Sequence, residues 1–112
     1  MTLRTKQSLF VVLVAKLINK STELGYELTF GEAQRSAQEA ERLFKLGVGI
    51  KNSVHTVRLA VDFNLFKDGV YLTTTEAHLP LGVYWESLHP MCRWGGRFND
   101  GNHYSMEHNG RK

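Results

Sequence analysis

Two histidines and two aspartates carry the chemical interest of this chain. His55 and Asp62 stand in the stretch Ser53-Val54-His55-Thr56-Val57-Arg58-Leu59-Ala60-Val61-Asp62, and Asp100 and His103 in Asp100-Gly101-Asn102-His103. Two imidazoles and one carboxylate can fill three corners of a zinc tetrahedron and leave the fourth to water. That is the arrangement of a catalytic zinc, whereas a structural zinc is normally closed by four protein ligands. Asp100, one turn or a short loop from His103, could take a proton from such a water. The competing reading is ordinary. Most histidines bind nothing, and a His/Asp pair across a loop and a strand start arises often by chance. The aspartate-x-x-histidine segment moves the balance only part way, so spacing alone leaves both readings open. His78 and His89 lie in irregular stretches without an acidic partner at ligand spacing. His108 lies in a polar tail, where Glu107 beside it leaves a supporting role open.

At 112 residues the chain is expected to be a single domain, 1–112, with one modest core,. A net charge of +3 and a pI of 9.2 favour anionic surroundings such as cell-wall polymer, nucleic acid or anionic lipid,. The basic residues are scattered, and no recognition motif or aromatic-basic interleaving accompanies them, so a nucleic-acid partner is not expected. The single Cys92 excludes an internal disulfide and a cysteine zinc knuckle; it reads as a small buried hydrophobe,. Arg4 and Lys6 before the apolar run Leu9 to Ala15 resemble the start of a signal peptide, but Lys16 and Lys20 follow where a small-residue cleavage site belongs,. The run is also too short to span a bilayer. It is expected to be the buried part of a first helix, in a protein made in the cytoplasm without a signal peptide.

The elements that must position the four residues follow from periodicity. Leu9, Leu13 and Leu17, with Val14 and Ile18, predict a helix over about Lys6 to Leu24, stopped at Gly25,. Tyr26 to Phe30 reads as a short strand. A second helix is expected from Ser36 to Leu46, with Ser36 and Glu39 as a capping box. Val48 to Val54 then reads as the loop that delivers His55. In the strand Leu59 to Leu65, Leu59, Val61 and Phe63 point one way and Asp62 the other, toward a cleft. The turn Lys67-Asp68-Gly69 and the strand Val70 to Leu72 complete a hairpin. A short helix is expected over Gly82 to Leu88, a tight turn over Trp94 to Phe98, and a last strand over His103 to Met106. The class is α+β, a small antiparallel sheet with helices on one side.

These segments together resemble a known family. It comprises the LAS-type zinc peptidases, which group D-Ala-D-Ala carboxypeptidases and dipeptidases with phage L-alanyl-D-glutamate endolysins, and whose core sonic hedgehog shares. The family signature Ser-x-His-x-x-Gly-x-Ala-x-Asp is matched by Ser53, His55, Ala60 and Asp62, with Arg58 in the glycine position. The acidic residue three before a histidine is matched by Asp100 and His103. Gly31-Glu32-Ala33-Gln34-Arg35-Ser36, Asn64 to Gly69, Tyr84-Trp85-Glu86 and Trp94-Gly95-Gly96-Arg97-Phe98 look like the short phage members. The resemblance implies one zinc per chain held by His55, Asp62 and His103, with Asp100 as general base and Arg35 meeting substrate or oxyanion. It gives Ser53 a role in orienting His55 or touching the peptide. Arg58 departs from the family pattern: a bulky cation in place of the glycine could narrow the cleft or contact an anionic substrate. The resemblance implies a monomer acting on the peptidoglycan stem peptide, as an L-alanyl-D-glutamate endolysin that reaches the wall after release from the host cytoplasm. The alternatives are a D,D-carboxypeptidase of the same family and a catalytically inactive wall-binding module.

Overall fold

The first helix owes both its ends to local chemistry. The computed structural model describes residues 1–31 and 57–112. In it α1 runs Leu3–Glu23, with Thr2 as N-cap accepting a hydrogen bond from the Thr5 amide at 3.1 Å,. At the other end Gly25 adopts φ +83, the Gly25 amide donates to the Thr22 carbonyl at 3.1 Å and the Tyr26 amide to the Ser21 carbonyl at 2.9 Å. This pair of bonds is the Schellman termination, which needs a left-handed residue and so favours glycine. Phe10, Leu13 and Leu17 form the buried stripe of α1. No helix among the described residues is long and apolar enough to cross a membrane.

The sheet is antiparallel and five-stranded, ordered β1-β2-β5-β4 with β3 also paired to β2. Its strands are β1 (Glu27–Phe30), β2 (Ala60–Lys67), β3 (Val70–Leu72), β4 (Cys92–Trp94) and β5 (His103–Met106). The β2–β3 hairpin closes through Asp68 and Gly69, both at positive φ (52 and 78), as an Asp-Gly two-residue turn requires,. A second helix among the described residues, α2, spans Leu79–Leu88 after a 3₁₀ turn at Glu76–His78. The core joins Phe10, Leu13 and Leu17 of α1, Leu81 and Trp85 of α2, and Val61, Phe63, Leu65, Tyr104 and Met106 of the central strands. Trp85 meets Phe10 and Tyr104 edge-on at 5.7 and 6.2 Å, a favoured geometry for aromatic pairs. Its indole N–H is satisfied by the Arg93 and Ser105 carbonyls at 3.1 and 3.0 Å.

The α+β class is as expected, with differences in detail. Helix α2 begins at Leu79, three residues before the expected Gly82, because Pro80 sits in its first turn, where its missing N–H costs nothing,. Strand β4 is absent from the expectation. The stretch expected as a tight turn is a 3₁₀ helix at Gly95–Phe98 entered from β4. The expected helix from Ser36 to Leu46 and the loop from Val48 to Val54 lie outside the described residues.

Candidate metal centre

The site begins with a strand pairing. In the β2–β5 register Asp62 stands opposite His103, and residues directly opposite in an antiparallel pair project from the same face. That face is the one turned away from the Val61, Phe63 and Tyr104 core side. Asp62 Oδ1 lies 3.3 Å from His103 Nδ1, with side-chain exposures of 16% and 6%. Two N or O ligands of one tetrahedral zinc, each about 2.0–2.1 Å from the ion, stand about 3.3–3.4 Å apart. The pair therefore has the donor types and the separation of two corners of a zinc site. Asp100 Oδ2 lies 4.0 Å from the same Nδ1, and its side chain is 52% exposed. A carboxylate beside the donors but open to solvent suits proton transfer better than ligation.

The turn that carries Asp100 is fixed from several sides. Asn99 takes a left-handed φ of 60, and the Asp100 amide donates to the Gly95 carbonyl at 2.8 Å. The His103 amide donates to the Asp100 carbonyl and the Phe63 amide to the Asn102 carbonyl, both at 3.0 Å. A Cβ on Gly95 would stand 2.1 Å from the Asp100 carbonyl oxygen and 2.6 Å from His103 Cβ, so only glycine lets the backbone pass this close,. The Trp94 indole N–H donates to the Gly101 carbonyl at 2.7 Å. Two chain passes come close to that indole: a Cβ on Gly82 or on Gly96 would come within 2.1 or 2.2 Å of its ring. Phe98 presses on the His103 imidazole, ring centres 5.7 Å apart. Glu86 receives the Trp94 amide at 3.3 Å and Arg97 at 2.8 Å, tying α2 to the 3₁₀ helix.

Of the residues singled out from the sequence, the structure brings together Asp62, His103 and Asp100. Arg58 sits exposed just before β2 with φ 58. A left-handed backbone at this position accounts for the glycine of the signature, and here an arginine adopts it at a cost. His55, Ser53 and Arg35 lie outside the described residues. Among the described residues no three His, Cys, Asp or Glu side chains form a metal-holding group, so the third corner is not supplied from them. The remaining histidines have other roles. His78 is buried and its Nδ1 lies 2.7 Å from the Tyr104 hydroxyl; burial pulls its pKa down to about 4. His89 Nδ1 accepts the Met91 amide at 3.1 Å. His108 Nδ1 lies 3.5 Å from Lys6 Nζ. Cys92 is buried, and burial pushes its thiol up to about 12, so it is inert,.

Two supports of the site are not among the residues to which the sequence reading gives a chemical role. Trp94 and Gly95 read there as a turn, not as the brace of Asp100. Asn109-Gly110 is a strong two-residue turn signal inside a stretch that reads as polar tail. It closes a turn in which the His108 amide donates to the Arg111 carbonyl at 2.8 Å and the Arg111 amide to the His108 carbonyl at 2.9 Å. Beyond it the main-chain oxygen of Lys112 lies 3.1 Å from His103 Nε2.

No protein-family profile matches the chain, and no curated protein matches it in sequence. Solved structures do match it. The L-Ala D-Glu endopeptidase ChiX of Serratia marcescens superposes with a TM-score of 0.68 at 20% identity, over 85% of this chain and 77% of that one. A point mutant of the vancomycin-resistance D,D-pentapeptidase VanY from a VanB-type cassette, in complex with Zn(II), superposes with a TM-score of 0.59 at 16% identity, over 87% of this chain and 70% of that one. The chain shares the fold of these two peptidases.

Proposed function

We propose that this protein is a zinc-dependent hydrolase of peptidoglycan stem peptides, cutting between L-Ala and D-Glu as a phage-type endolysin does. The observation that carries the reading is the Asp62–His103 pair, set at the spacing of two zinc ligands with Asp100 beside it. The pair stands on a fold shared with an L-Ala D-Glu endopeptidase and with a zinc-bound D,D-pentapeptidase. Asp62, His103 and His55 would hold the ion. Bound there, zinc supplies Lewis acidity that makes water a nucleophile near neutral pH and polarises the scissile carbonyl.

The chain's own residues do the rest. Asp100 accepts a proton from the attacking water and returns it to the departing amine; its solvent-open carboxylate beside the ligand pair permits both transfers,. Arg35, always charged and able to bind a carboxylate with two parallel hydrogen bonds, steadies the oxyanion or a substrate carboxylate. Ser53 orients His55 or contacts the peptide, and Arg58, exposed at the mouth of β2, meets the anionic peptide. A polar cavity of about 220 Å³ opens beside Asp100. It lies where β2 passes from its pairing with β5 to its pairing with β3, and Thr73, Thr74, Asn99 and Asn102 in its wall offer hydrogen bonds to a peptide.

The second reading, a D,D-carboxypeptidase, is favoured by the likeness to VanY. Mass spectrometry of muropeptides after digestion of purified peptidoglycan separates the two. Stem peptides with a new N-terminal D-Glu support the endopeptidase; loss of one terminal D-Ala supports the carboxypeptidase. A protein that binds zinc stoichiometrically yet releases neither product would be a wall-binding module.

A further inference from the structure

We infer that the segment 107–112 is a built part of the metal centre: the main-chain oxygen of Lys112 selects the His103 tautomer that keeps the ligating lone pair on Nδ1. The inference rests on the metal-site reading above, and it concerns a residue pair that the reading does not use. A main-chain oxygen only accepts hydrogen bonds. At 3.1 Å from Lys112 O, His103 Nε2 makes that hydrogen bond only in the state in which it carries the proton. In the neutral ring the lone pair then sits on Nδ1, the atom that faces Asp62 Oδ1 at 3.3 Å. A lone pair and a carboxylate oxygen converging at that distance are what a dication reconciles. Metal-binding histidines commonly donate their second N–H to an oxygen that fixes ring and tautomer.

The segment is anchored well enough to do this. Lys6, buried on α1, donates through Nζ to the Glu107 carbonyl. The Glu107 amide donates to the Met91 carbonyl at 2.9 Å, and the Glu107 carboxylate takes Arg93 Nη2 at 2.7 Å. The chain then reverses through Asn109 (φ 51) and Gly110 (φ 78). Both central residues are left-handed, which defines the tight turn that an Asn-Gly pair favours. This reversal returns Arg111 to pair with His108 and carries Lys112 back against the imidazole. The sharp point of the device is Gly110. A Cβ added there meets nothing within 4 Å, so a side chain at 110 acts through φ alone. Asparagine tolerates this φ and a β-branched residue does not.

The test compares wild type with Gly110→Val and Gly110→Asn. Two readouts are taken: the His103 tautomer in the metal-free protein, from ¹⁵N chemical shifts of the imidazole, and zinc affinity by competition with a chromophoric chelator. The expected wild type has its proton on Nε2 and binds zinc. Gly110→Val loses the tautomer preference and about 10–100-fold in zinc affinity, the usual cost of removing an outer partner of a metal-binding histidine. Gly110→Asn keeps both. A metal-free wild type with the proton on Nδ1 overturns the inference, whatever the variants do. So does a Gly110→Val protein that has lost the tautomer preference yet binds zinc as tightly as wild type. A wild type with the proton on Nε2 that binds no zinc refutes the metal-site reading instead, and the inference falls with it.

Discussion

Gly95→Ala is the sharpest perturbation of the site that removes none of its candidate chemical groups. The new methyl carbon would stand 2.1 Å from the Asp100 carbonyl oxygen and 2.6 Å from His103 Cβ, where ordinary contact begins near 3.4 Å. The Asp100 turn or β5 must therefore retreat by about 1 Å. Neither can do so freely. Asp100 is bonded to the Gly95 carbonyl at 2.8 Å, and His103 is packed under Phe98. Overpacking of this kind costs about 1–3 kcal/mol, and loss of the Asp100–Gly95 hydrogen bond adds about 1 kcal/mol. At about 4 °C or more per kcal/mol for a domain of this size, the melting temperature should fall by roughly 8–16 °C. Hydrolysis should suffer more than stability, since a shift of about 1 Å in a reacting group can cost about 10²-fold in rate. Thermal denaturation by circular dichroism and hydrolysis of purified peptidoglycan at about 20 °C, where a variant with this loss is still folded, read the two effects separately. A Gly95→Ala protein with wild-type melting and wild-type turnover would show that the close approach does not hold Asp100 in place.

Other expectations follow from single residues. Asp100→Asn should keep the fold and nearly all zinc by elemental analysis, while turnover falls about 10²-fold or more, because an amide cannot take the proton. Arg58→Gly should raise KM for peptidoglycan several-fold. Its stability by urea denaturation should hold or rise by up to about 1 kcal/mol, since it releases an arginine from a left-handed backbone,. A clear loss of stability would mean that the arginine side chain supports the fold more than its φ strains it. His78, neutral when buried with its pKa pulled down to about 4, binds fewer protons folded than unfolded between there and its ordinary 6.5. Its contribution is therefore complete above pH 6.5 and is lost as pH falls toward 4, by about 3 kcal/mol at most. Urea denaturation at pH 7 and pH 5 should show part of this loss in the wild type and a flatter profile in His78→Phe.

Much of the fold could be read from the chain because its elements obey one period each. The α1 periodicity, the alternation along β2 and the Asp68-Gly69 turn are local signals, and the structure places these elements within a few residues of expectation. Of the expected stripe Leu13 and Leu17 are buried, Phe10 rather than Leu9 completes it, and Ile18 is exposed. β4 gave no signal: its three residues, Cys92 to Trp94, are too few for alternation to show between Pro90 and Gly95. The start of α2 was obscured by Pro80, a residue that breaks helices in their interior and suits their first turn. At the site, residue types could be read but partnership could not. That Asp62 faces His103 is a fact of strand register, set by pairing across 41 positions of chain (103 less 62) and written in neither segment. The Lys112 oxygen was beyond reach for another reason. A main-chain acceptor has no residue type to recognise, and only the Asn109-Gly110 turn hints that the chain comes back.

The indole of Trp94 is crowded by Gly82 of α2 and by Gly96 two residues further on, and so couples the helix to the 3₁₀ turn. Enlarging either glycine alone collides with the ring, and shrinking the tryptophan alone leaves a void beside both glycines. Substitutions at these positions are thus tolerated in combination rather than singly. A larger residue at 82 or 96 becomes acceptable once 94 is smaller, and its cost changes sign with that background. In a population of variants the three would drift as one locus. Because the same ring grips the Gly101 carbonyl, each such exchange would also reset the aim of Asp100, so the freedom of this packing layer to diversify is limited by the chemistry it supports.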